Sequence, residues 1–76
     1  MSFARPKTRR AIARELRAAR VAAGLTTREL AARVGCTPAR IVTIEKAQGR
    51  VSIEEFILIA RALQVDLRRL LRKIAR

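Results

Sequence analysis

Apolar residues recur along this chain at helical spacing, and no alternating run long enough for a useful strand interrupts them. Ile12, Leu16, Ala19 and Ala23 share one face of a first segment. Leu30, Ala31 and Val34 do the same in a second, and Ile41 and Ile44 in a third, with Ala47 one turn on. In a fourth, Ile53, Phe56, Ile57, Ala60 and Leu63 form the inward stripe, with Leu58 roughly opposite Phe56 and Ile59 to the side. Leu67, Leu70, Leu71 and Ile74 follow at i, i+3, i+4 and i+7 in a fifth. The pattern predicts five helices over residues 8–23, 27–34, 38–47, 53–63 and 67–75, an all-α domain.

The segment starts carry their own chemistry. Thr26 and Glu29, then Ser52 and Glu55, have the spacing of capping boxes, in which hydroxyl and carboxylate satisfy each other's backbone amides. Thr37 precedes Pro38, a cap followed by a proline whose missing N–H costs nothing at that position. Asp66 caps the last segment. Each start also has an apolar staple pair: Leu25/Leu30, Cys36/Ile41, Val51/Phe56 and Val65/Leu70. Gly24 and Gly35 stand where a left-handed residue ends a helix.

With 76 residues the chain makes one domain, read as 8–76 behind a basic arm over 1–7. A core of this size supplies only ~3–5 kcal/mol, so self-association or a partner is expected. Eighteen Lys and Arg against six Asp and Glu leave a net charge of +12. Ten of those twelve units lie outside residues 21–65, in 1–20 and 66–76. A nearly balanced body between two basic ends points to a polyanion, since +12 on a solvated surface alone would repel itself. Arg5, Lys7, Arg9 and Arg10 of the arm are placed to follow a groove or a phosphate strand; a solubilising tail is the plainer reading.

Composition removes other classes. There is no His and one Cys, so no Ser-His or Cys-His pair, no His/Cys metal cluster and no internal disulfide are available. No cofactor is expected, and the reduced thiol suits the cytoplasm. No apolar run reaches membrane-spanning length, and Phe3 and Phe56 are too few aromatics for base-stacking platforms.

Helices two and three are joined by only Gly35, Cys36 and Thr37, and the small Ala31 suits their close approach. This is the helix-turn-helix plan. The run Leu25-Thr26-x-x-Glu29-Leu30-Ala31-x-x-Val34-Gly35-Cys36-Thr37-x-x-x-Ile41-x-x-Ile44-Glu45 resembles the Cro/cI-like (XRE) helix-turn-helix family. Ser52-Ile53-Glu54-x-Phe56-x-x-Ile59-Ala60-x-Ala62-Leu63-x-Val65 is similar to that family's fourth helix, so the likeness runs from about Leu16 to Leu71. The resemblance implies a compact five-helix phage-repressor-like domain with the recognition helix at 38–47 in the major groove of double-stranded DNA. It places Pro38, Ala39, Arg40 and Thr43 toward base edges and Thr27, Arg28, Thr37, Lys46 and Arg50 along phosphates. It pairs Arg20 with Glu45 between helices one and three.

Several positions depart from the family pattern. Thr27 stands where Gln is common, and Ala47 with Gln48-Gly49-Arg50-Val51 replaces the usual Gly and Asn-Pro. Pro38 donates nothing, Ala39 offers only apolar contact to a thymine methyl, and Val42 has no polar group. Arg40 is the one residue suited to a bidentate guanine contact, a pair that discriminates by about 1–3 kcal/mol. Thr43 is either a base contact or plain helix surface. A sparse base code with strong backbone attraction is expected.

The acids leave no catalytic pair: Glu29, Glu55 and Asp66 are caps, Glu54 favours a helix start, Glu45 has Arg20, and only Glu15 is unassigned. Enzymatic activity is therefore not expected. Cys36 reads as apolar filler at the turn; a redox switch would need an exposed, acidified thiol. Leu58 and the helix-five residues Leu67, Leu70, Leu71 and Ile74 exceed what one core needs, which predicts a homodimer seam. A monomer whose longer first helix absorbs them is the alternative. The expected function is a sequence-specific, dimeric DNA-binding transcriptional regulator in the cytoplasm, associated with the nucleoid. With no effector domain, it would act by blocking or recruiting polymerase. The alternatives are an antitoxin that also holds a toxin, or a low-specificity nucleoid binder; a membrane-surface role for the basic fifth helix fits less well.

Overall fold

The last four helix starts carry the caps their sequence announces. In the computed structural model, which describes Ser2, Phe3 and residues 5–75, the order is β1 (Ser2–Phe3), α1 (Pro6–Ala22), α2 (Thr27–Val34), α3 (Pro38–Glu45), β2 (Val51–Ser52), α4 (Ile53–Ala62) and α5 (Leu67–Ile74). The Thr26 hydroxyl accepts from Glu29 N at 3.0 Å while the Glu29 carboxylate accepts from Thr26 N at 3.0 Å. Ser52 and Glu55 repeat the box at 3.1 and 3.3 Å. Thr37 Oγ1 accepts from Arg40 N, and Asp66 from Arg68 N and Arg69 N.

The first four helices end in the same way. The amide after the left-handed residue bonds back five positions, at Leu25 to Arg20 O, Cys36 to Ala31 O, Gln48 to Thr43 O and Val65 to Ala60 O. The left-handed slot holds Gly24 (φ +73°), Gly35 (φ +86°), Ala47 (φ 57°) and Gln64 (φ 56°). Ala47 is why α3 stops at Glu45, two residues short of the predicted end. A β-carbon in this conformation costs about 1–2 kcal/mol, partly offset by the greater freedom glycine has when unfolded. Ala47→Gly and Gln64→Gly are therefore each expected to raise stability by about 0.5–1 kcal/mol, read as an increase in urea midpoint at constant m value. A fall in midpoint would show that the slot is not strained.

The two ends of the chain differ from expectation. Residues 1–7 were predicted as an extended arm, yet Ser2 and Phe3 pair antiparallel with Ser52 and Val51, and α1 begins at Pro6. Met1 and Ala4 of that span, and Arg76 of the predicted domain, lie outside the described residues. Proline at N1 supplies a helical φ without wasting an amide, so α1 starts two residues early and takes in Lys7, Arg9 and Arg10.

The core gathers Ile12 and Leu16 from α1, Leu30 and Ala31 from α2, Ile41 and Ile44 from α3, and Phe56, Ile59 and Ala60 from α4. Leu70 and Ile74 of α5 belong to it as well. This corrects the predicted seam: both side chains are buried in the monomer, because α5 packs back on α1. Leu67 is half-buried against the same core, and only Leu58 and Leu71 of the proposed set are exposed. The stripe of α4 is also rotated from the predicted one, with Ile59 inside and Ile53 and Ile57 half-buried.

Candidate nucleic-acid interface

The turn between α2 and α3 sets how α3 meets solvent. Gly35 takes φ +86°, its amide bonds Ala31 O at 2.8 Å, and Ala31 and Ile41 are buried where the two helices meet. With Ile41 and Ile44 turned inward, Ala39, Val42, Thr43 and Lys46 line the opposite side at i, i+3, i+4 and i+7. Pro38, Ala39, Val42 and Lys46 are exposed, and Thr43 is half-exposed with its hydroxyl donating to Ala39 O at 2.9 Å.

Two bidentate ion pairs hold this helix. Arg20 Nε and Nη2 donate to Glu45 Oε2 and Oε1 at 2.7 and 2.9 Å, and Nη1 donates to Leu25 O at 2.8 Å. The pair links α1 to the end of α3, and the hydrogen bond to Glu45 raises the Arg20 pKa further. Arg40 makes the second pair, to Glu55 Oε2 and Oε1, each at 2.8 Å, while its Nη2 also donates to Arg50 O at 2.7 Å.

This second pair competes with the reading of Arg40 as the guanine-contacting residue. Its guanidinium ties α3 to α4 and braces the loop that carries Arg50, so Arg40 here is a positioning residue. The signal was obscured because Glu55 was already assigned as the Ser52 cap partner, and it performs both tasks. Hydrogen bonds from Arg40 and Ser52 hold the Glu55 carboxyl below its ordinary pKa. Thr26 does the same for Glu29. A lowered folded-state pKa adds stability that is complete above the unfolded carboxylate value and lost as pH falls through the folded one. Acid unfolding should thus begin below the ordinary glutamate range, and Glu55→Gln should flatten that limb of the pH–stability curve. An unchanged acid limb in the variant would refute the linkage.

Apart from Arg9, the remaining cations among the described residues face solvent. Arg28, Thr37, Lys46 and Arg50 are exposed, and Thr27 is half-buried at the start of α2. Sequence reading missed Arg14 and Arg17: with Arg10 they line a groove that Lys46 and Ala47 close from the α3 side. Arg17 also lines a shallow groove with Val42 and Lys46. The spacing of Arg10, Arg14 and Arg17 on one helix face was visible, but their position beside α3 was not. The two basic ends also converge, as Lys7, Arg10 and Arg14 share a groove with Lys73 of α5.

Of the predicted arm residues, Lys7, Arg9 and Arg10 therefore sit on a helix. Arg5 is the α1 N-cap residue without a side-chain cap bond, and Lys7 and Arg10 are exposed. Arg9 is half-buried, its Nη1 donating to Gly49 O at 3.4 Å and its Nε enclosed without a partner. Burial raises the Cys36 pKa, which suits a packed thiol and opposes thiolate chemistry. Among the described residues no group of His, Cys, Asp and Glu could hold a metal ion, and no helix is long and apolar enough to cross a membrane.

A helix-turn-helix family model matches residues 16–70. Two crystal structures superpose closely, both of the clp gene regulator ClgR from Corynebacterium glutamicum. One has a TM-score of 0.83 at 29% identity, covering 90% of this chain and 87% of that one. The other has a TM-score of 0.84 at 29% identity, covering 90% of this chain and 72% of that one. No curated protein sequence matches this chain.

Proposed function

We propose that this chain, which belongs to the helix-turn-helix family, is a sequence-selective regulator that binds double-stranded DNA as a homodimer. Family membership and the likeness to a gene regulator make it a DNA-binding transcription regulator. The observation that carries the finer reading is the outward face of α3, Ala39 to Lys46, with Arg17 beside Val42. A helix presented in this way fits the major groove, and the adjoining cations fit the phosphates on either side.

Two further features favour a polyanion. The first turn of α1 holds Lys7 and Arg9 with no acid, against the helix dipole, an arrangement that nearby phosphates would relieve. The side chains of Arg28, Lys46 and Arg50 make no hydrogen bond or ion pair to the protein among the described residues and remain available for phosphate oxygens. In this reading Thr27 and Thr37 contribute hydroxyls to the same backbone, and Pro38, Ala39 and Thr43 lie nearest the bases.

Selection of bound duplexes from a random pool at 150 mM salt tests the proposal. Enrichment of near-palindromes with half-sites about one helical turn apart is the expected result. Recovery of a pool indistinguishable from random duplex would replace regulation by non-specific coating. The homodimer rests on Leu58 and Leu71, which are 47% and 37% exposed. Leu58→Glu with Leu71→Glu should lower the sedimenting mass to that of a monomer and weaken operator binding, with helix content intact. An unchanged mass would place the seam elsewhere.

A further inference from the structure

The side of α3 that faces away from the core offers few hydrogen-bond donors to a base edge. Arg40 has Nε and Nη2 on Glu55, and Nη2 also on Arg50 O, so no two adjacent nitrogens remain for guanine O6 and N7. The Thr43 hydroxyl proton is engaged by Ala39 O, so this side chain has no donor left for a base edge. Pro38 has no N–H, Ala39 ends in a methyl, and Val42 is 36% exposed on a helix whose other large apolar residues are buried.

We propose that this chain selects its DNA by the 5-methyl groups of thymine, read by Ala39, Val42 and the Thr43 methyl. The proposal rests on the DNA-binding reading above and names what the recognition helix recognises. The thymine methyl is the one apolar group that unmodified base pairs present in the major groove. An apolar strip without free donors makes no hydrogen bond to guanine O6 or N7 and buries methyl surface against thymine. Charge complementarity identifies DNA as the occupant: Val42 shares its groove with Arg17 and Lys46, so cations adjoin the apolar strip as phosphates require.

The size of the effect follows from the buried group. One methyl removed from water is worth about a fourfold change in affinity. Two symmetry-related contacts in a dimer site would together give roughly a tenfold change or more.

The test uses duplexes selected from a random pool, each then remade with deoxyuridine in place of thymidine. This deletes the methyl and keeps every hydrogen-bonding group of the base. Selected duplexes should lose roughly tenfold in affinity as deoxyuridine forms, while random duplexes, held by phosphates, should bind equally in both forms. Replacing a contacted T·A pair by 5-methylcytosine·G should retain more binding than replacement by unmethylated C·G. Val42→Ala, a change at an exposed position that the helix tolerates, should shrink the thymidine-to-deoxyuridine ratio measured on selected duplexes.

Equal binding of the two forms of selected duplex overturns methyl reading and leaves the DNA-regulator reading standing. A deoxyuridine effect that Val42→Ala and Ala39→Gly both leave untouched assigns it to DNA shape and overturns the proposal as well. Failure to enrich any sequence removes both readings.

Discussion

Glu45→Ala is expected to leave much of the protein unfolded at physiological temperature. The Arg20 and Glu45 side chains are only 13% and 9% exposed, and Arg20 has all three nitrogens bonded to Glu45 and Leu25 O. Removing the carboxylate strands a cation away from water, a change that typically costs about 3–5 kcal/mol. A core of this size supplies roughly the same amount in total. The double variant Arg20→Met with Glu45→Leu removes both charges and should recover most of the loss, because a well-packed apolar pair replaces a desolvated ionic one. Urea unfolding followed by circular dichroism reads both. A Glu45→Ala midpoint equal to that of the parent would show that the pair is energetically idle. The variant also bears on function, since this pair fixes the end of α3 against α1, where Arg17 and Lys46 flank Val42.

Phe56→Ala should be at least as damaging. Phe56 is fully buried and is among the largest enclosed side chains. It caps the staple with Val51, which β2 holds against β1, and it lies in the same core as Ile12, Ile41 and Ile59. Phenylalanine-to-alanine changes in cores cost about 3–5 kcal/mol, from lost transfer energy and the cavity left behind. Phe56→Leu keeps much of the volume and should cost markedly less. Loss of helix signal in Phe56→Ala at moderate temperature is the expected result; a melting curve that overlays the parent would mean the site collapses without penalty.

Much of this domain could be read before folding it. The four caps downstream of α1 act within three residues of their partners, and their staples within five. The glycine turn before α3 is equally local, so the order and starts of α2 to α5 were legible, and with them the helix-turn-helix arrangement. The Arg20–Glu45 partnership came from family likeness, and the geometry realises it at 2.7 Å.

The candidate site was less legible where its residues have two uses. Arg40 stands at a base-facing position and Glu55 at a capping position, and nothing within either local motif says that the two side chains meet across 15 residues. Leu70 and Ile74 have the same apolar character whether they serve a core or a seam; the return of α5 onto α1 decides it. Arg14 and Arg17 look like solvated helix surface until α3 is placed alongside.

The sequence by itself therefore determined the number of helices, the N-terminal boundaries of α2 to α5, the turn and the excess of positive charge. Each of these follows from interactions among near neighbours or from a simple sum. Tertiary structure alone decided that Ser2 and Phe3 pair with a segment nearly fifty residues away. It also decided that two leucine-rich faces divide between core and surface, and that the guanidinium at the base-facing position is already engaged. Those outcomes depend on which distant groups packing brings within hydrogen-bond or van der Waals reach, and no local spacing encodes that.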